Sequence, residues 1–300
     1  MTSRIKKGIN IWSFDPDLGL EDCFRLARDA GFAGIELALA AGGPVSLTTT
    51  DQDLLAIRRL AERYQLTIPS LATGLYWQYS LTSERADIRE QARAIVRRQL
   101  RAGALLGADC ILVVPGTVGV DFRPEDVVPD AAPGDFFAGS EIIDYEAAYQ
   151  RSLEALRELA PEAERTGVTI GIENIWNKFL LSPLELRDFI DAVGSERVGV
   201  FFDVGNAVAN GYPEQWIRIL GRRICTLHLK DYRRAVGSLS GFVDLLAGDV
   251  DWPSVMRALA GIGYAGWANA EMCPTYRFAP GLMVRHAATA MDQILAMGAD

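Results

Sequence analysis

Short apolar runs alternate with longer amphipathic segments eight times along this chain of 300 residues. The runs are rich in β-branched and aromatic residues, which favour strands, whereas the segments between them repeat apolar residues at the helical period. The predicted strands span residues 7–14, 34–39, 67–73, 110–115, 168–173, 198–203, 224–229 and 267–272. Such alternation is typical of successive βα units, whose strands form a parallel sheet.

The helical segments carry signals of helix ends. Helices are predicted over residues 20–30, 51–64, 86–106 and 145–166, among others. Ser182, Pro183 and Glu185 are spaced as an N-cap, a first-turn proline and a capping-box acid, so a further helix is predicted to begin at Pro183. Asp251 stands before the next-to-last helix as a second N-cap. These signals mark the strand-to-helix loops that βα units require.

Eight βα units can close into a barrel or form an open, doubly wound sheet. A dinucleotide-binding doubly wound sheet carries G-x-G-x-x-G after its first strand. Here the first strand continues into Trp-Ser-Phe-Asp-Pro at residues 12–16. The sequence therefore predicts a (β/α)8 barrel. No linker or low-complexity tract divides the chain, so we expect residues 1–300 to form a single domain.

Two of the predicted connections after strands are long, at residues 117–142 and 231–250. In a barrel, the loops that follow the carboxyl ends of the strands lie at the catalytic face. Both connections are therefore candidate lids over an active site.

Composition limits the partners and the location of the protein. The net charge of −9 argues against a nucleic-acid partner, because Lys and Arg supply most of that affinity by neutralising phosphates. The apolar run near the start is short and is interrupted by Asp15, so it is interpreted as a strand rather than a signal peptide. No stretch approaches the about 18 uncharged apolar residues of a membrane span. We therefore expect a cytoplasmic protein, and the surface aromatic candidates Tyr212, Trp216 and Tyr276 indicate a homo-oligomer, either a dimer or a tetramer.

The last four predicted strands each end in, or just before, a residue that can bind a metal ion. In a barrel all strand carboxyl ends meet at one mouth, so these side chains are expected to converge. Burying an acidic group there costs several kcal/mol unless a cation compensates it. Taken singly, each residue could instead be a helix cap, an ion-pair partner or a core histidine, but the shared position favours one divalent ion. The four residues are Glu173, Asp203, His228 and Glu271.

Three carboxylates and one imidazole form an oxygen-rich set of ligands. Such a set suits octahedral ions, so Mn²⁺ is the first choice, and Mg²⁺, Co²⁺ and Zn²⁺ are the other candidates. The second histidine, His286, lies within a predicted terminal helix and is interpreted as structural.

Short motifs around these residues occur in a characteristic order. They are GIEN at residues 171–174, FDVGN at 202–206, HLKD at 228–231, GDVDW at 248–252 and AEM at 270–272, with GFAGIEL at 31–37 on the second strand. In this order and spacing the chain resembles the sugar phosphate isomerase/epimerase family, whose fold is the xylose-isomerase-like TIM barrel. The resemblance covers nearly the whole chain and is strongest over residues 171–272.

This resemblance implies a reaction and assigns roles. Glu173, Asp203, His228 and Glu271 match the four metal ligands of ketose 3-epimerases. The two glutamates then also act as acid/base groups on opposite faces of the substrate. A metal-stabilised enediolate loses a proton to one carboxylate and regains one from the other, which inverts C3. The implied function is isomerase chemistry on a sugar or sugar phosphate in carbohydrate metabolism.

One residue departs from the pattern of the free-ketose epimerases. Those enzymes have His three residues after the aspartate ligand, where this chain has Asn206. Asn206, together with the HLKD and GDVDW segments, looks more like the branch that acts on phosphorylated ketoses such as L-xylulose 5-phosphate. Lys230, Arg233 and Arg234 are then candidates to hold a phosphate or carboxylate, the alternative being solvated charges on a loop.

Further candidate substrate contacts follow the first glutamate or lie on the second strand. Trp176 and Asn177 come shortly after Glu173, and an aromatic face such as that of Trp176 packs well against the C–H surface of a sugar. Glu36 ends the GFAGIE run, where it can reach a substrate hydroxyl or form a structural salt bridge.

Other functions are compatible with the same barrel. A lyase or dehydratase of the inosose dehydratase or 3-keto-glycoside eliminating type would expel a leaving group from the same enediolate. A non-catalytic sugar-binding barrel would hold the ligand without proton exchange. Endonuclease IV shares the barrel but needs a histidine-rich trinuclear zinc site and a DNA-binding surface, which two histidines and a net charge of −9 do not provide.

Overall fold

A computed structural model of the protein contains eight parallel strands that close into a barrel in the order β1-β10-β7-β6-β5-β4-β3-β2. The structure describes residues 5–122 and 140–298. The predicted (β/α)8 barrel is confirmed. Its strands are β1 (Lys6–Asn10), β2 (Gly34–Leu39), β3 (Ser70–Thr73), β4 (Cys110–Val113), β5 (Thr169–Glu173), β6 (Val198–Asp203), β7 (Ile224–Leu229) and β10 (Trp267–Ala270).

Helices surround the barrel and bury one face each against it. In α4, for example, Leu153, Leu156 and Leu159 are buried at helical spacing. None of the helices in the described part of the chain combines the length and apolar character that crossing a membrane requires. The helices are α1 (Leu20–Asp29), α2 (Asp51–Arg63), α3 (Ala86–Leu106), α4 (Tyr145–Thr166), α5 (Pro183–Val193), α6 (Val204–Asn210), α7 (Pro213–Leu220), α8 (Trp252–Gly261) and α9 (Pro280–Ala296).

The predicted helix starts are confirmed by their hydrogen bonds. The Ser182 hydroxyl accepts from the backbone N–H of Glu185 at 3.2 Å, and α5 begins at Pro183. The Asp251 carboxylate accepts from the backbone N–H of Ser254 at 3.1 Å at the start of α8. The first strand is shorter than predicted, because residues Ile11–Ser13 form a 3-10 turn directly after β1.

One of the two long connections contains strands of its own. Residues 231–250 include a small antiparallel hairpin of β8 (Asp231–Tyr232) and β9 (Phe242–Val243). Strands of two residues are too short for an alternating pattern to reveal. Of the other candidate lid, residues 117–142, the segment 123–139 lies outside the described residues.

One buried carboxylate fastens the hairpin segment. Asp231 Oδ1 accepts from the backbone N–H groups of Tyr232 at 2.9 Å and Val250 at 3.2 Å. Its Oδ2 accepts from the backbone N–H of Leu246 and from Trp252 Nε1, both at 3.0 Å. The start of the segment is thereby tied to its last residues, directly after β7.

Candidate metal centre

The barrel brings the four predicted metal-binding side chains to one point at its mouth. Glu173 and Asp203 are the last residues of β5 and β6, His228 lies in β7, and Glu271 directly follows β10. Each offers one ligand atom, these atoms all lie within 4.8 Å of one another, and all four side chains are buried. In the register between β6 and β7, Asp203 is paired with His228, which places these two side chains at the same level.

Several atoms of this cluster are buried and lie close together without a well-formed hydrogen bond to any described residue. His228 Nδ1 lies 2.7 Å from Glu271 Oε2, 3.8 Å from Glu173 Oε1 and 3.9 Å from Asp203 Oδ2. Among the described residues, Asp203 Oδ2, His228 Nδ1 and Glu271 Oε2 make no hydrogen bond of acceptable geometry, although they lie close to one another and the Lys230 ammonium approaches both oxygens. Buried polar atoms of this kind are rare and costly. Their convergence fits a bound cation, and three carboxylates with one imidazole fit a divalent ion.

Hydrogen bonds fix the orientation of Asp203. Its Oδ1 caps α6 by accepting from the backbone N–H of Asn206 at 2.7 Å, which leaves Oδ2 directed into the cluster. The Asn174 side chain exchanges two hydrogen bonds, both of 2.8 Å, with the backbone N–H and C=O of Asp203. This amide aligns the ends of β5 and β6. Asn174 is not among the site residues predicted from the sequence, although it directly follows Glu173.

Lys230 lies against the same cluster. Its ammonium is 2.8 Å from Glu271 Oε2 and 3.2 Å from Asp203 Oδ2, and it lies 5.3 Å from the centre of the Phe242 ring. Its backbone is approached closely by the first turn of α6, where a Cβ on Gly205 would lie 2.5 Å from Lys230 Cβ. The glycine of the FDVGN motif therefore permits the contact between α6 and Lys230.

The two glutamates have different protonation properties. Burial raises the pKa of Glu173 to about 7, against the opposing effects of His228 and Lys230. Burial acts in the same direction on Glu271, but the Lys230 ammonium and His228 outweigh it and hold the pKa of Glu271 well below its ordinary value. Two carboxyl groups whose pKa values are driven apart are suited to different roles in proton transfer.

Three aromatic side chains, hereafter the aromatic wall, pack together beside Lys230. The ring of Trp176 lies 5.2 Å from that of Tyr232 and 5.5 Å from that of Phe242, and the latter two are 5.1 Å apart. Trp176 Nε1 is buried and finds no hydrogen-bond partner within the described ranges 5–122 and 140–298. The wall thus presents apolar surface and one unpaired donor next to an ammonium group.

Two of the side chains predicted to contact substrate form hydrogen bonds with the backbone of loops. Asn177 is fully buried, and its side chain donates to the carbonyl of Gly116 at 2.7 Å and accepts from the N–H of Phe179 at 3.1 Å. It therefore ties the loop after β5 to the loop after β4. Arg233 is exposed, and its Nε donates to the carbonyl of Ala247 at 3.1 Å within the hairpin segment.

Two further predicted contacts lie next to the metal-binding side chains. Asn206 Nδ2 donates to the carbonyl of Asn174 at 3.0 Å and lies 3.4 Å from Glu173 Oε1. Glu36 is fully buried, and its Oε1 contacts His228 Nε2 at 2.6 Å.

Comparison with known proteins identifies the family. Residues 24–294 match the xylose isomerase-like TIM barrel. The rhizopine catabolism protein MocC of Rhizobium meliloti is 30% identical over 291 residues, which cover 89% of this chain and 81% of MocC. The chain therefore belongs to the xylose isomerase-like TIM barrel family, as the resemblance of its motifs implied.

Other relatives carry epimerase names. SgbU of Escherichia coli K12, named as an L-ribulose-5-phosphate 3-epimerase, is 25% identical, and the match covers 85% of this chain and 84% of SgbU. The crystal structure of a D-psicose 3-epimerase with D-tagatose from Clostridium cellulolyticum H10 superposes with a TM-score of 0.77 at 19% identity, covering 98% of this chain and 99% of that one. At that identity the structural match supports the fold.

Proposed function

We propose that this protein is a divalent-metal-dependent epimerase or isomerase of a sugar or sugar phosphate, and that it inverts C3 of a ketose. The observation that carries the proposal is the cluster of four buried ligand atoms within 4.8 Å of one another, supplied by three carboxylates and one imidazole. The epimerase name of SgbU supports the reaction class. Mn²⁺ is the proposed ion because the ligand set is rich in oxygen.

In the proposed mechanism, Glu173, Asp203, His228 and Glu271 would hold the ion. When bound, the ion supplies Lewis-acid polarisation of the substrate's carbonyl and neighbouring hydroxyl oxygens. Each glutamate has a second carboxylate oxygen that would serve in proton transfer, and that of Glu271 also accepts from Cys273 Sγ at 3.7 Å. One glutamate removes the C3 proton, and the other delivers a proton to the opposite face. The different surroundings of the two carboxyl groups favour this division of roles.

We further propose that Lys230, Trp176 and Asn206 contact the substrate. The Lys230 ammonium lies at the cluster, where it can bind a substrate oxygen that acquires negative charge. The aromatic wall can pack against the C–H face of a sugar, and the unpaired Trp176 Nε1 can donate to a hydroxyl. Asn206 lies beside Glu173 and can steady its carboxylate.

Isotope exchange tests the reaction. The purified protein, freed of metal with EDTA and reloaded with Mn²⁺, is incubated in D₂O with ketoses, ketose phosphates and 3-keto glycosides. We expect deuterium at C3 without loss of water, no turnover after EDTA, and recovery with Mn²⁺ or Co²⁺. An unsaturated product would instead identify a lyase or dehydratase. Tight metal binding with no exchange on any substrate would favour a sugar-binding barrel.

Substitution of each glutamate tests the assignment of the acid/base groups. Glu173→Gln and Glu271→Gln should each lower kcat by about 100- to 10,000-fold, the usual contribution of a general acid or base. Glu196→Gln is a matched control, because Glu196 is exposed and lies just before β6, at the opposite end of the barrel. It should keep the wild-type rate. A glutamine variant that retains a tenth of the activity would remove that glutamate from the chemistry.

We also propose that the protein acts in the cytoplasm as a homo-oligomer, a dimer or a tetramer. Of the aromatic residues that suggested association, Tyr212 is 55% exposed. Trp216 is buried and packs near Phe202, so it offers no surface for a partner. Light scattering coupled to size-exclusion chromatography measures the mass directly, and a monomer at micromolar concentration would contradict the proposal.

A further inference from the structure

The carboxylate of Glu36 contacts His228 at Nε2, whereas the candidate metal centre lies on the Nδ1 side of the ring. Glu36, in β2, is fully buried. Its Oε1 lies 2.6 Å from His228 Nε2 and accepts from Asn10 Nδ2 at 2.5 Å. Its Oε2 accepts from the Ser70 hydroxyl. Both carboxylate oxygens are therefore engaged within the protein.

The two nitrogens of His228 face opposite chemical environments. Nε2 points to Glu36, whereas Nδ1 points to the carboxylates of the candidate metal centre, the nearest being Glu271 at 2.7 Å. A carboxylate only accepts hydrogen bonds, and Glu36 Oε1 already accepts from Asn10, so the proton of the imidazole belongs on Nε2. That arrangement leaves the lone pair of Nδ1 directed into the cluster.

Residues from three other strands hold Glu36 in place. Asn10 lies at the end of β1, paired in register with Glu36, and its own side-chain oxygen accepts from the backbone N–H of Trp12 at 2.7 Å. Ser70, at the start of β3, accepts from Asn269 Nδ2 of β10 at 3.1 Å. The carboxylate is thus fixed from several sides before it contacts His228, as expected of a group that orients another.

We propose that Glu36 is a positioning residue that acts through His228, selecting the imidazole form with a free Nδ1 and fixing the ring so that Nδ1 can bind the metal ion. The inference rests on the proposed function, because a free Nδ1 needs an ion to bind. It assigns Glu36 no contact with substrate. Outer partners of this kind typically change metal affinity by about 10- to 100-fold when they are replaced.

Metal affinity is the first readout. Titration of the metal-free protein with Mn²⁺ should give one site per chain, and Glu36→Gln should bind the ion about 10- to 100-fold more weakly. Glutamine has the shape of glutamate, so circular dichroism and the unfolding midpoint show whether the variant is folded. The matched control is Thr226→Val, which removes a buried side-chain hydrogen bond of 3.3 Å in the same strand, made to the backbone carbonyl of Trp267 and not to His228.

The imidazole itself gives a second readout that does not depend on activity. The chain has two histidines, so a spectrum of ¹⁵N-histidine protein contains two imidazoles, and His286→Gln assigns them. In protein loaded with diamagnetic Zn²⁺ or Mg²⁺, His228 should carry its proton on Nε2, with slow solvent exchange because the ring is fully buried. Glu36→Gln should shift that Nε2 proton and speed its exchange, whereas Thr226→Val should leave it unchanged.

The outcomes separate the two proposals. If wild-type protein binds no divalent ion, the proposed function fails and the role of Glu36 fails with it. If wild-type protein binds the ion, but folded Glu36→Gln binds it equally well and shows the wild-type His228 resonances, the role of Glu36 alone is overturned. We expect Glu36→Gln to bind the ion more weakly and to show a shifted Nε2 resonance. We expect neither change in Thr226→Val.

Discussion

Replacing Asp231 by asparagine tests how the hairpin segment that carries Tyr232 and Phe242 is held. The buried carboxylate accepts two hydrogen bonds at each oxygen. Asparagine keeps one acceptor oxygen and places an NH₂ group opposite the two N–H donors that faced the other. A hydrogen bond to a charged group contributes about 1.5–3 kcal/mol, so the loss of two should lower the free energy of unfolding by about 3–6 kcal/mol.

Urea unfolding followed by circular dichroism measures this change. The matched control is Asp249→Asn, in the same segment, because Asp249 is exposed and accepts one hydrogen bond, from the backbone N–H of Arg234 at 2.8 Å. Its effect should be about 0.5 kcal/mol or less. If Asp231→Asn is no more destabilising than Asp249→Asn, the carboxylate does not hold the segment and the reasoning is refuted.

Three further predictions concern the candidate site. In metal-free protein, folding raises the pKa of Glu173 from 4.5 to about 7, so the folded state binds more protons than the unfolded state. The free energy of unfolding should therefore fall as pH rises between about 4.5 and 7. When it is compared at pH 5 and pH 8, Glu173→Gln should make this decrease smaller by up to about 3 kcal/mol. Gly205→Ala overpacks the contact with Lys230 and should cost about 1–3 kcal/mol in urea unfolding; an unchanged midpoint would contradict the close approach. Trp176→Ala should raise KM with little change in kcat, because the aromatic wall is proposed to bind substrate; an unaltered KM in steady-state kinetics would exclude that role.

The sequence predicts those features of the fold that depend on local patterns. The helix starts at Ser182 and Asp251 follow from residues three positions apart, and the structure has both caps. The convergence of the strand ends follows from barrel geometry once the βα repeat is recognised, because parallel strands present their carboxyl ends on one side. The fold and the candidate metal ligands can therefore be predicted from the sequence.

Contacts between distant residues, and directions within loops, were not predictable in the same way. The contact between Glu36 and His228 joins residues separated by 192 positions, and no local pattern reports it. Trp176 and Asn177 are neighbours in one loop, yet the first lies in the aromatic wall and the second is fully buried between two loops. Loops lack the fixed period that tells which way a side chain points.

The prediction for Trp216 is wrong, although the residue pattern around it indicates burial. Trp216 was expected at the surface, but it is buried in α7 together with Pro213, Ile217 and Leu220. These positions have the spacing of one helical face, which indicates burial against the barrel. The hairpin of β8 and β9 could not be predicted in this way, because strands of two residues show no alternating pattern. The hairpin segment is held instead by hydrogen bonds to the carboxylate of Asp231.

The most direct test of the metal centre is anomalous diffraction at the manganese edge from a crystal grown with Mn²⁺. One strong peak should lie at coordination distance from His228 Nδ1 and from the carboxylates of Glu173, Asp203 and Glu271. A peak elsewhere on the protein, or none at the mouth of the barrel, would contradict the account.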